Sequence, residues 1–495
     1  MGVIRFQLPE RKSAPESMLD RTYMAGTDGV PWPCQTHLEG DLLVLSRDIQ
    51  ESGNFYAPWM VEGFGELMLS TGSLMERKGT YDLPVELARG TLNRLRNQLA
   101  AWMSSGLKMN DTIQDGVTAA IDTLSKTVTG TCGIDQRTEN AGLATRLSVQ
   151  TMESLVDQYT RQALRVRHAQ VTRFPTLFGA NLGNQSIHSS WNSNLCATSN
   201  AAVVPMTWNQ IESSTGQHAW ETTDEQMEWC TANGIRIIGG PLINIDGSGL
   251  PDWLILWEDD FDELQSYVTS YVQHVVQRYR NKISLWNCAG RLTAAGSLGI
   301  TEEQKLQLTV RIIEQIRRSD SRATPIIVTF DQPWAEQIAQ NPVELTPLHF
   351  ASDLARAGLG LSGFGLELNL GYWPGGCNAR DLVEISHQLD RWSFFGLPLV
   401  VYLTVPSSLE EDAQARHGIQ PRSCLNKVVS AETQNSFVER LIPMLLAKPF
   451  VHGVIWNQVS DESPHEFPHG GLIDASGAAK PILQTMARIR EEHLV

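Results

Sequence analysis

The chain has 495 residues, of which 42% are hydrophobic and 19% charged, a balance that excludes a disordered or fibrous protein. Its formal charge of -16 would repel phosphate backbones and anionic lipid, so neither nucleic acid nor a membrane surface is an expected partner. The seven cysteines are odd in number and form no CxxC pair, and no apolar run has the length of a signal peptide or a membrane span. We therefore expect free thiols and a cytoplasmic location.

The first 110 residues are predicted to form a small β-rich module. Strand-like runs at 41–46 and 65–70 are separated by glycine-rich turns, and a helical pattern follows them. The apolar positions of that helix recur at spacings of three and four: Leu92, Leu95, Leu99 and Trp102. Residues 111–173 are predicted to be a helical connector, because a second amphipathic helix runs up to Phe174-Pro175. We assign no chemistry to these regions.

Residues 174–495 are predicted to form a (β/α)8 TIM barrel of the α/β class. Short apolar runs alternate there with amphipathic stretches, which is typical of βα units around a parallel sheet. The eight predicted strands are 177–181, 202–205, 235–242, 283–287, 325–330, 363–369, 399–404 and 451–457. A capping box, Thr301-Glu-Glu-Gln304, marks the start of one of the helices. A barrel places its active site at the C-terminal ends of the strands.

Several stretches of this region match one family pattern in order and spacing. They are Phe178-Gly-Ala180, Pro205-Met-Thr-Trp208, 233–242 with Pro251-Asp-Trp253, 278–286, Gly363-Phe-Gly-Leu-Glu-Leu-Asn369, Gly453-Val-Ile-Trp456 and Lys480-Pro481. Together they resemble glycoside hydrolase family 10, the endo-1,4-β-xylanase-like enzymes. The resemblance implies hydrolysis of O-glycosyl bonds in a β-linked carbohydrate, with no cofactor and no catalytic metal.

The two catalytic glutamates of the family have no counterpart in this chain. The fourth strand of the family ends in the glutamate that acts as acid and base, and Arg291 stands at that place here. The seventh strand carries the nucleophilic glutamate, and Leu403 falls on that position. A retaining glycosidase needs two carboxyl groups about 5 to 5.5 Å apart. Neither inherited position supplies one.

Three other acids follow or end predicted strands at the same mouth: Glu367, Asp331 and Asp246. Glu367 is predicted to face inward, where burying an acid is costly unless it has a role. A pair drawn from the three is the predicted acid and base. The other interpretation is an ion pair with Arg291 or a capping role, since such networks also occupy barrel mouths.

The predicted sugar-binding residues are aromatic and amide side chains near strand ends. They are Trp208, Trp286, Asn287, Asn369, Tyr372, Trp373 and Trp456. The histidines around the eighth strand, such as His465 and His469, have no zinc-ligand spacing, so no metal site is predicted.

The sequence leaves three hypotheses about function. The first is a divergent family-10-like glycoside hydrolase, xylanase-like, acting on a polysaccharide or oligosaccharide. The alternative is a catalytically inactive, carbohydrate-binding pseudoenzyme, and the third is a purely structural barrel. The oligomeric state is not indicated by the sequence.

Overall fold

Two four-stranded sheets form the N-terminal part of the computed structural model, which describes residues 2–9, 16–130, 133–257, 259–292, 299–320, 322, 324–416, 418–422 and 428–495. The strands are β1 (Gly2–Gln7), β2 (Tyr23–Ala25), β3 (Pro31–Trp32), β4 (Cys34–Glu39), β5 (Leu42–Arg47), β6 (Gly53–Val61), β7 (Gly65–Leu74) and β8 (Tyr81–Asp82), with helix α1 (Glu16–Leu19) after β1. Their orders are β4-β5-β1-β8 and β3-β2-β6-β7. Alternate residues of β1 point into a shared core, where Phe6 stacks on Phe55 at 4.3 Å between ring centroids. The predicted β-rich start is confirmed.

Three helices follow the sheets: α2 (Leu83–Ser104), α3 (Asp111–Thr129) and α4 (Ile134–Gln170). Asp82 caps α2 and Asn110 caps α3, each accepting a hydrogen bond from a backbone N–H of the first turn. On α2, Leu92, Leu95 and Trp102 of the predicted apolar face are buried. Trp102 stacks on Tyr159 of α4 at 4.1 Å, so the helices pack through the faces that the periodicity predicted.

Eight parallel strands close into a barrel in the remaining chain. They are β9 (Leu177–Asn181), β10 (Ala201–Val204), β11 (Arg236–Gly239) with β12 (Ile243–Asn244), β13 (Leu285–Gly290), β14 (Ile326–Phe330), β15 (Gly363–Asn369), β16 (Leu399–Thr404) and β17 (Val451–Trp456). The order is β11-β10-β9-β17-β16-β15-β14-β13-β12, and the pairing of β11 with β13 completes the ring. The predicted (β/α)8 barrel is confirmed.

The third barrel strand is divided into β11 and β12, where the sequence predicted one run from 235 to 242. Pro241 lacks the N–H that a continuous ladder needs. Gly240 has a φ of 113° and lies against the backbone of the fourth strand, because an added Cβ would stand 2.3 Å from the carbonyl oxygen of Asn287. The chain therefore leaves the ladder at these two residues and rejoins it at Ile243.

Helices surround the barrel and join its strands. They are α5 (Ser189–Thr198), α6 (Trp208–Ile211), α7 (Glu221–Ala232), α8 (Phe261–Tyr279), α9 (Glu302–Ser319), α10 (Pro347–Arg356), α11 (Leu382–Ser393), α12 (Ala431–Ala447) and α13 (Pro481–His493), with 3-10 turns at Asp252–Trp257 and Glu336–Ala339. The predicted capping box opens α9, with reciprocal hydrogen bonds between Thr301 and Gln304. Within the described ranges, none of the helices combines the length and apolarity that a membrane span requires.

The N-terminal sheets lie against the loops that follow the fifth and sixth barrel strands. The backbone N–H of Met68 on β7 donates to the carbonyl of Ala379 at 2.8 Å. Next to it, the fully buried guanidinium of Arg380 binds Glu336 at 2.5 Å and the hydroxyl of Tyr23 at 2.9 Å. A guanidinium that is shielded from water needs a carboxylate and further hydrogen-bond acceptors to replace its hydration, and Glu336 and Tyr23 supply them here. The first module therefore braces the side of the barrel mouth that carries Asp331 and Glu367.

Candidate active site

An apolar layer fills the barrel below its mouth. Alternate residues of the strands point inward and pack together: Val203, Ile238, Leu285, Ile327, Val400, Tyr402 and Ile455. Polar side chains follow toward the C-terminal ends of the strands, among them Asn181, Glu367, Asn369 and Asn457. The lumen is thus closed at one end and polar at the end where barrel enzymes bind substrates.

Glu367 is the central acid of this mouth. It lies on β15, is 9% exposed, and pairs across the ladder with Tyr402. Its Oε2 atom accepts hydrogen bonds from the amides of Asn369 at 2.8 Å and Asn457 at 3.5 Å. Burial raises the pKa of Glu367 to about 7, Arg291 opposes that shift, and Asp331 adds to it. A carboxyl group in this setting exchanges its proton near neutral pH.

Arg291 occupies the end of the fourth strand, directly after β13. Its backbone has a φ of 55°, and its guanidinium lies 3.5 Å from the carboxylate of Asp246 and also binds Glu466. Burial disfavours the charge, but Glu466, Glu367 and Asp246 together raise the pKa of Arg291 well above its ordinary value. Arg291 is therefore a cation at neutral pH.

Asp331 and Asp246 follow the fifth and third barrel strands, on either side of the fourth. Asp331 follows β14, is 9% exposed, and contributes to the raised pKa of Glu367 through its negative charge. Asp246 follows β12 and accepts hydrogen bonds from the backbone N–H of Ser248 at 2.8 Å and from its hydroxyl at 2.6 Å. The structure thus brings all three predicted acids to one mouth and pairs Asp246 with Arg291.

Two cavities open at the mouth. The first, of about 490 Å³, is lined by the loops after the first, second, third and eighth strands, including Asn181, Thr207 and Asn244. The second, of about 620 Å³, lies on the side of the fourth to seventh strands and includes Asp246 and Asp331. Both volumes are in the range of small-molecule sites. Arg291, Glu367 and Glu466 line both cavities.

A family model described as glycosyl hydrolase family 10 matches residues 166–294. The predicted resemblance to that family is confirmed. The matched stretch contains the first four barrel strands and ends shortly after Arg291, the residue that the sequence predicts at the family's acid/base position. It includes none of Asp331, Glu367 or Leu403.

Solved xylanase structures are also similar to this chain. Native xylanase 10B from Thermotoga maritima superposes with a TM-score of 0.49 at 14% identity, covering 64% of this chain and 96% of the xylanase. Xylanase B from Clostridium stercorarium F9 has a TM-score of 0.47 at 14% identity, covering 63% and 96%. A mutant of TsXylA, an intracellular xylanase from Thermoanaerobacterium saccharolyticum, in complex with xylotriose has a TM-score of 0.47 at 14% identity, covering 64% and 96%.

Leu403, which the sequence places at the nucleophile position, does not face the lumen of the barrel. Leu403 packs in the outer core between barrel and helices, whereas Tyr402 belongs to the inner layer. Successive side chains of a strand point to opposite faces, so Thr404 also faces inward. None of the inward residues, Val400, Tyr402 and Thr404, is an acid. The seventh strand therefore supplies no nucleophilic carboxylate in either register.

The predicted aromatic platform is buried, which corrects that part of the prediction. Trp286 is fully buried and donates to Asp320 at 3.2 Å, and Trp456 donates to the carbonyl of Gly470 at 2.8 Å. The hydroxyl of Tyr372 binds the carbonyl of Pro468, and Trp373 is 7% exposed beside it. Tyr372 and Trp456 lie beneath the loop at 467–470, and Trp286 packs in the outer core beside the end of α9. Burial of these rings leaves no open platform for a sugar.

The structure places Trp208, Asn287 and Asn369 at different distances from the cavities. Trp208 lines the first cavity, yet it is 2% exposed, stacks on Tyr271 and donates to Glu212 at 2.8 Å. Asn369 holds Glu367, as described above. Asn287 is buried in the lumen beside Tyr402, beneath the residues that line the cavities. Of the predicted set, Trp208 and Asn369 are thus the residues placed at the site itself.

Sequence reasoning missed Glu466 and Asn457, and it gave His465 no role beyond excluding it as a zinc ligand. Asn457 follows β17 directly and bonds to Glu367 and Asn369, so its place at a strand end was the available signal. His465 binds Asp412 at 3.1 Å and joins the loops after the seventh and eighth strands. Within the described ranges, no three His, Cys, Asp or Glu side chains are grouped as metal ligands.

The raised pKa of Glu367 predicts a pH-dependent stability. Because the folded-state pKa is about 7 against an ordinary 4.5, this group's contribution is fully present below pH 4.5 and is lost as the pH rises through about 7. The shift corresponds to about 3 kcal/mol as an upper value. Glu367→Gln is therefore expected to raise the free energy of unfolding near neutral and alkaline pH by up to that amount. Urea unfolding at a series of pH values measures it.

Glu439→Gln is the matched control, because Glu439 is half-exposed and pairs with Arg488 far from the mouth. This control should keep the pH dependence of the parent protein. Equal pH dependence in Glu367→Gln and the parent would mean that the carboxyl of Glu367 is not shifted.

Proposed function

We propose that the protein is a glycoside hydrolase acting on a β-linked polysaccharide or oligosaccharide, with Glu367 as its general acid. The observation that carries this proposal is a carboxyl group with a pKa of about 7 that lines two cavities at a barrel mouth. Such a group is protonated in a large share of molecules at neutral pH and matches the task of a general acid. The family 10 match supports O-glycosyl bonds as its chemistry.

In the proposed reaction, Glu367 gives its proton to the glycosidic oxygen while the bond from that oxygen to the anomeric carbon breaks. The leaving sugar departs with a new hydroxyl group. A second carboxylate then takes a proton from an attacking water, or attacks the anomeric carbon and is released by water afterwards. We assign this second role to Asp331, which lines the second cavity together with Glu367. The anomeric configuration of the first product distinguishes the two routes.

Asp246 is assigned a different role, that of holding Arg291. Its carboxylate lies 3.5 Å from the guanidinium and accepts two hydrogen bonds from Ser248. These donors occupy its oxygen atoms, which leaves it poorly placed to take a proton from water. Asp246 therefore orients the arginine that stands beside Glu367.

Recognition of the sugar is proposed to rest on hydrogen bonds. The first cavity has Asn, Gln, Ser and Thr side chains from several loops on its wall, such as Asn184, Gln210 and Ser460, and the rings of Trp208 and Phe467 also line it. Amides and hydroxyls match the donor and acceptor pattern of sugar hydroxyl groups. The second candidate function, sugar binding without turnover, is favoured by the cation of Arg291 at the acid/base position of the family.

Incubation with a panel of β-linked glycans tests the proposal. The panel includes β-1,4-xylan and its oligosaccharides, and the measurement is the release of reducing ends. An enzyme releases reducing ends from at least one member. A binder instead shows a rise in unfolding temperature with the glycan and no product. A protein that does neither contradicts both functions.

A further inference from the structure

The contact between Arg291 and Glu466 joins opposite walls of the barrel mouth. Arg291 ends the fourth strand and Glu466 lies in the loop after the eighth. In the closed order of the sheet, three strands separate the fourth from the eighth on either side. The ion pair therefore spans the mouth across its width.

Both ends of this ion pair are anchored. Arg291 also binds Asp246, which Ser248 holds through two hydrogen bonds, and Glu466 also lies 3.8 Å from Arg416. The side chains of Arg291 and Glu466 are 15% and 25% exposed. A charge-assisted pair that is mostly shielded from water, with a further partner at each end, holds its geometry better than an isolated surface pair.

The ion pair also marks the division between the two cavities. The first cavity lies on the side of the first three strands and the eighth, and the second lies on the side of the fourth to seventh. Glu367 lines both, whereas Asp331 lines only the second. If these two residues act together, the bond to be cleaved lies in the second cavity, and the pair closes that cavity toward the first.

We infer that the Arg291–Glu466 ion pair is a stop for the end of the sugar chain, so that the protein removes sugars from chain ends and does not cut within a polysaccharide. This inference rests on the proposed hydrolase function. An extended chain that continued from the second cavity into the first would have to pass between the fourth-strand and eighth-strand walls, where the pair stands. A chain end meets the guanidinium and the carboxylate, which can donate to and accept from its terminal hydroxyl groups.

The test compares viscosity loss with the release of reducing ends on a soluble β-linked polysaccharide that the protein hydrolyses. Cuts at chain ends release reducing sugar while viscosity barely falls, whereas internal cuts lower viscosity early. The parent protein is expected to show the first behaviour. Glu466→Ala removes one half of the ion pair, and its loss of viscosity per reducing end is expected to rise at least several-fold.

Glu439→Ala is the matched control, because it breaks the Arg488–Glu439 pair at the surface and should behave as the parent. Thermal unfolding checks that each variant is folded, and Glu466→Ser replaces Glu466→Ala if the latter is not. Rapid viscosity loss by the parent protein would overturn the inference, as would equal behaviour of the parent and the opened variant. Absence of reducing ends from every glycan would instead overturn the proposed hydrolysis.

Discussion

Replacing Glu367 with glutamine is expected to lower kcat/KM for a β-linked glycan by about 10²–10⁴-fold, the usual contribution of a general acid. Glutamine keeps the size of the side chain and can still accept the hydrogen bond from Asn369, but it has no proton to transfer. In the parent protein, kcat/KM should fall as the pH rises through about 7, because the acid loses its proton there. Initial rates across pH measure both effects.

Asp331→Asn and Glu439→Gln complete this experiment. Asp331→Asn removes the second carboxylate of the same cavity and is expected to lower the rate as well, whereas Glu439→Gln changes an exposed glutamate and should not. Retention of full activity in Glu367→Gln would remove this residue from the mechanism. Full activity in Asp331→Asn, together with a loss in Glu367→Gln, would mean that a group other than Asp331 acts as the second carboxylate.

Replacing Arg380 with methionine is expected to lower the free energy of unfolding by about 3–5 kcal/mol, the usual cost of breaking a buried ion pair from one side. Arg380 is fully buried and binds Glu336, which is 2% exposed. Without the guanidinium, Glu336 is a buried charge whose nearest cation is gone. Urea unfolding near neutral pH, followed by tryptophan fluorescence, measures the loss.

The double variant Arg380→Met/Glu336→Gln should recover a large part of that loss, because it removes the uncompensated charge as well. Arg488→Met is the surface control: Arg488 is half-exposed, and its ion pair with Glu439 should contribute about 0–1 kcal/mol. A cost for Arg380→Met no larger than that for Arg488→Met would contradict the structural role of the buried pair.

Arg380 also connects the N-terminal module to the barrel mouth. It lies in the loop that follows the sixth strand, and its partner Glu336 follows Asp331 in the loop of the fifth. The hydroxyl of Tyr23 on β2 accepts a hydrogen bond from the same guanidinium, which connects the N-terminal module to the cluster of Arg380 and Glu336. Arg380→Met is therefore expected to disturb the positions of the loops after the fifth and sixth strands, on the side of the mouth that holds Glu367 and Asp331.

Local patterns determined the barrel and the orientation of Glu367. Apolar runs at regular intervals predicted eight strands, and each predicted run overlaps a strand of the barrel. Glu367 faces the lumen because side chains alternate along a strand, and a hydrogen bond links it to Asn369, two residues further on the same face. Such periodicities are carried by residues close in sequence, so they can be read before the chain is folded.

The partners of these residues were decided by the tertiary structure. Glu466 lies in a long loop without periodicity, and 175 positions of the sequence separate it from Arg291, which it contacts. The aromatic rings near strand ends were predicted to face a sugar, yet the loop at 467–470 covers Tyr372 and Trp456. Spacing along the chain does not say which loop will fold over which ring.

By itself, then, the sequence determined the eight-strand architecture, the family resemblance and the acids available at the mouth. The tertiary structure decided that Asp246 pairs with Arg291, that Glu367 has a pKa of about 7, and that an ion pair divides the mouth. The reason is that these properties depend on burial and on charges from separate loops. Closure of the barrel and the path of the loop after its eighth strand together bring Glu466 to Arg291 at the end of the fourth strand.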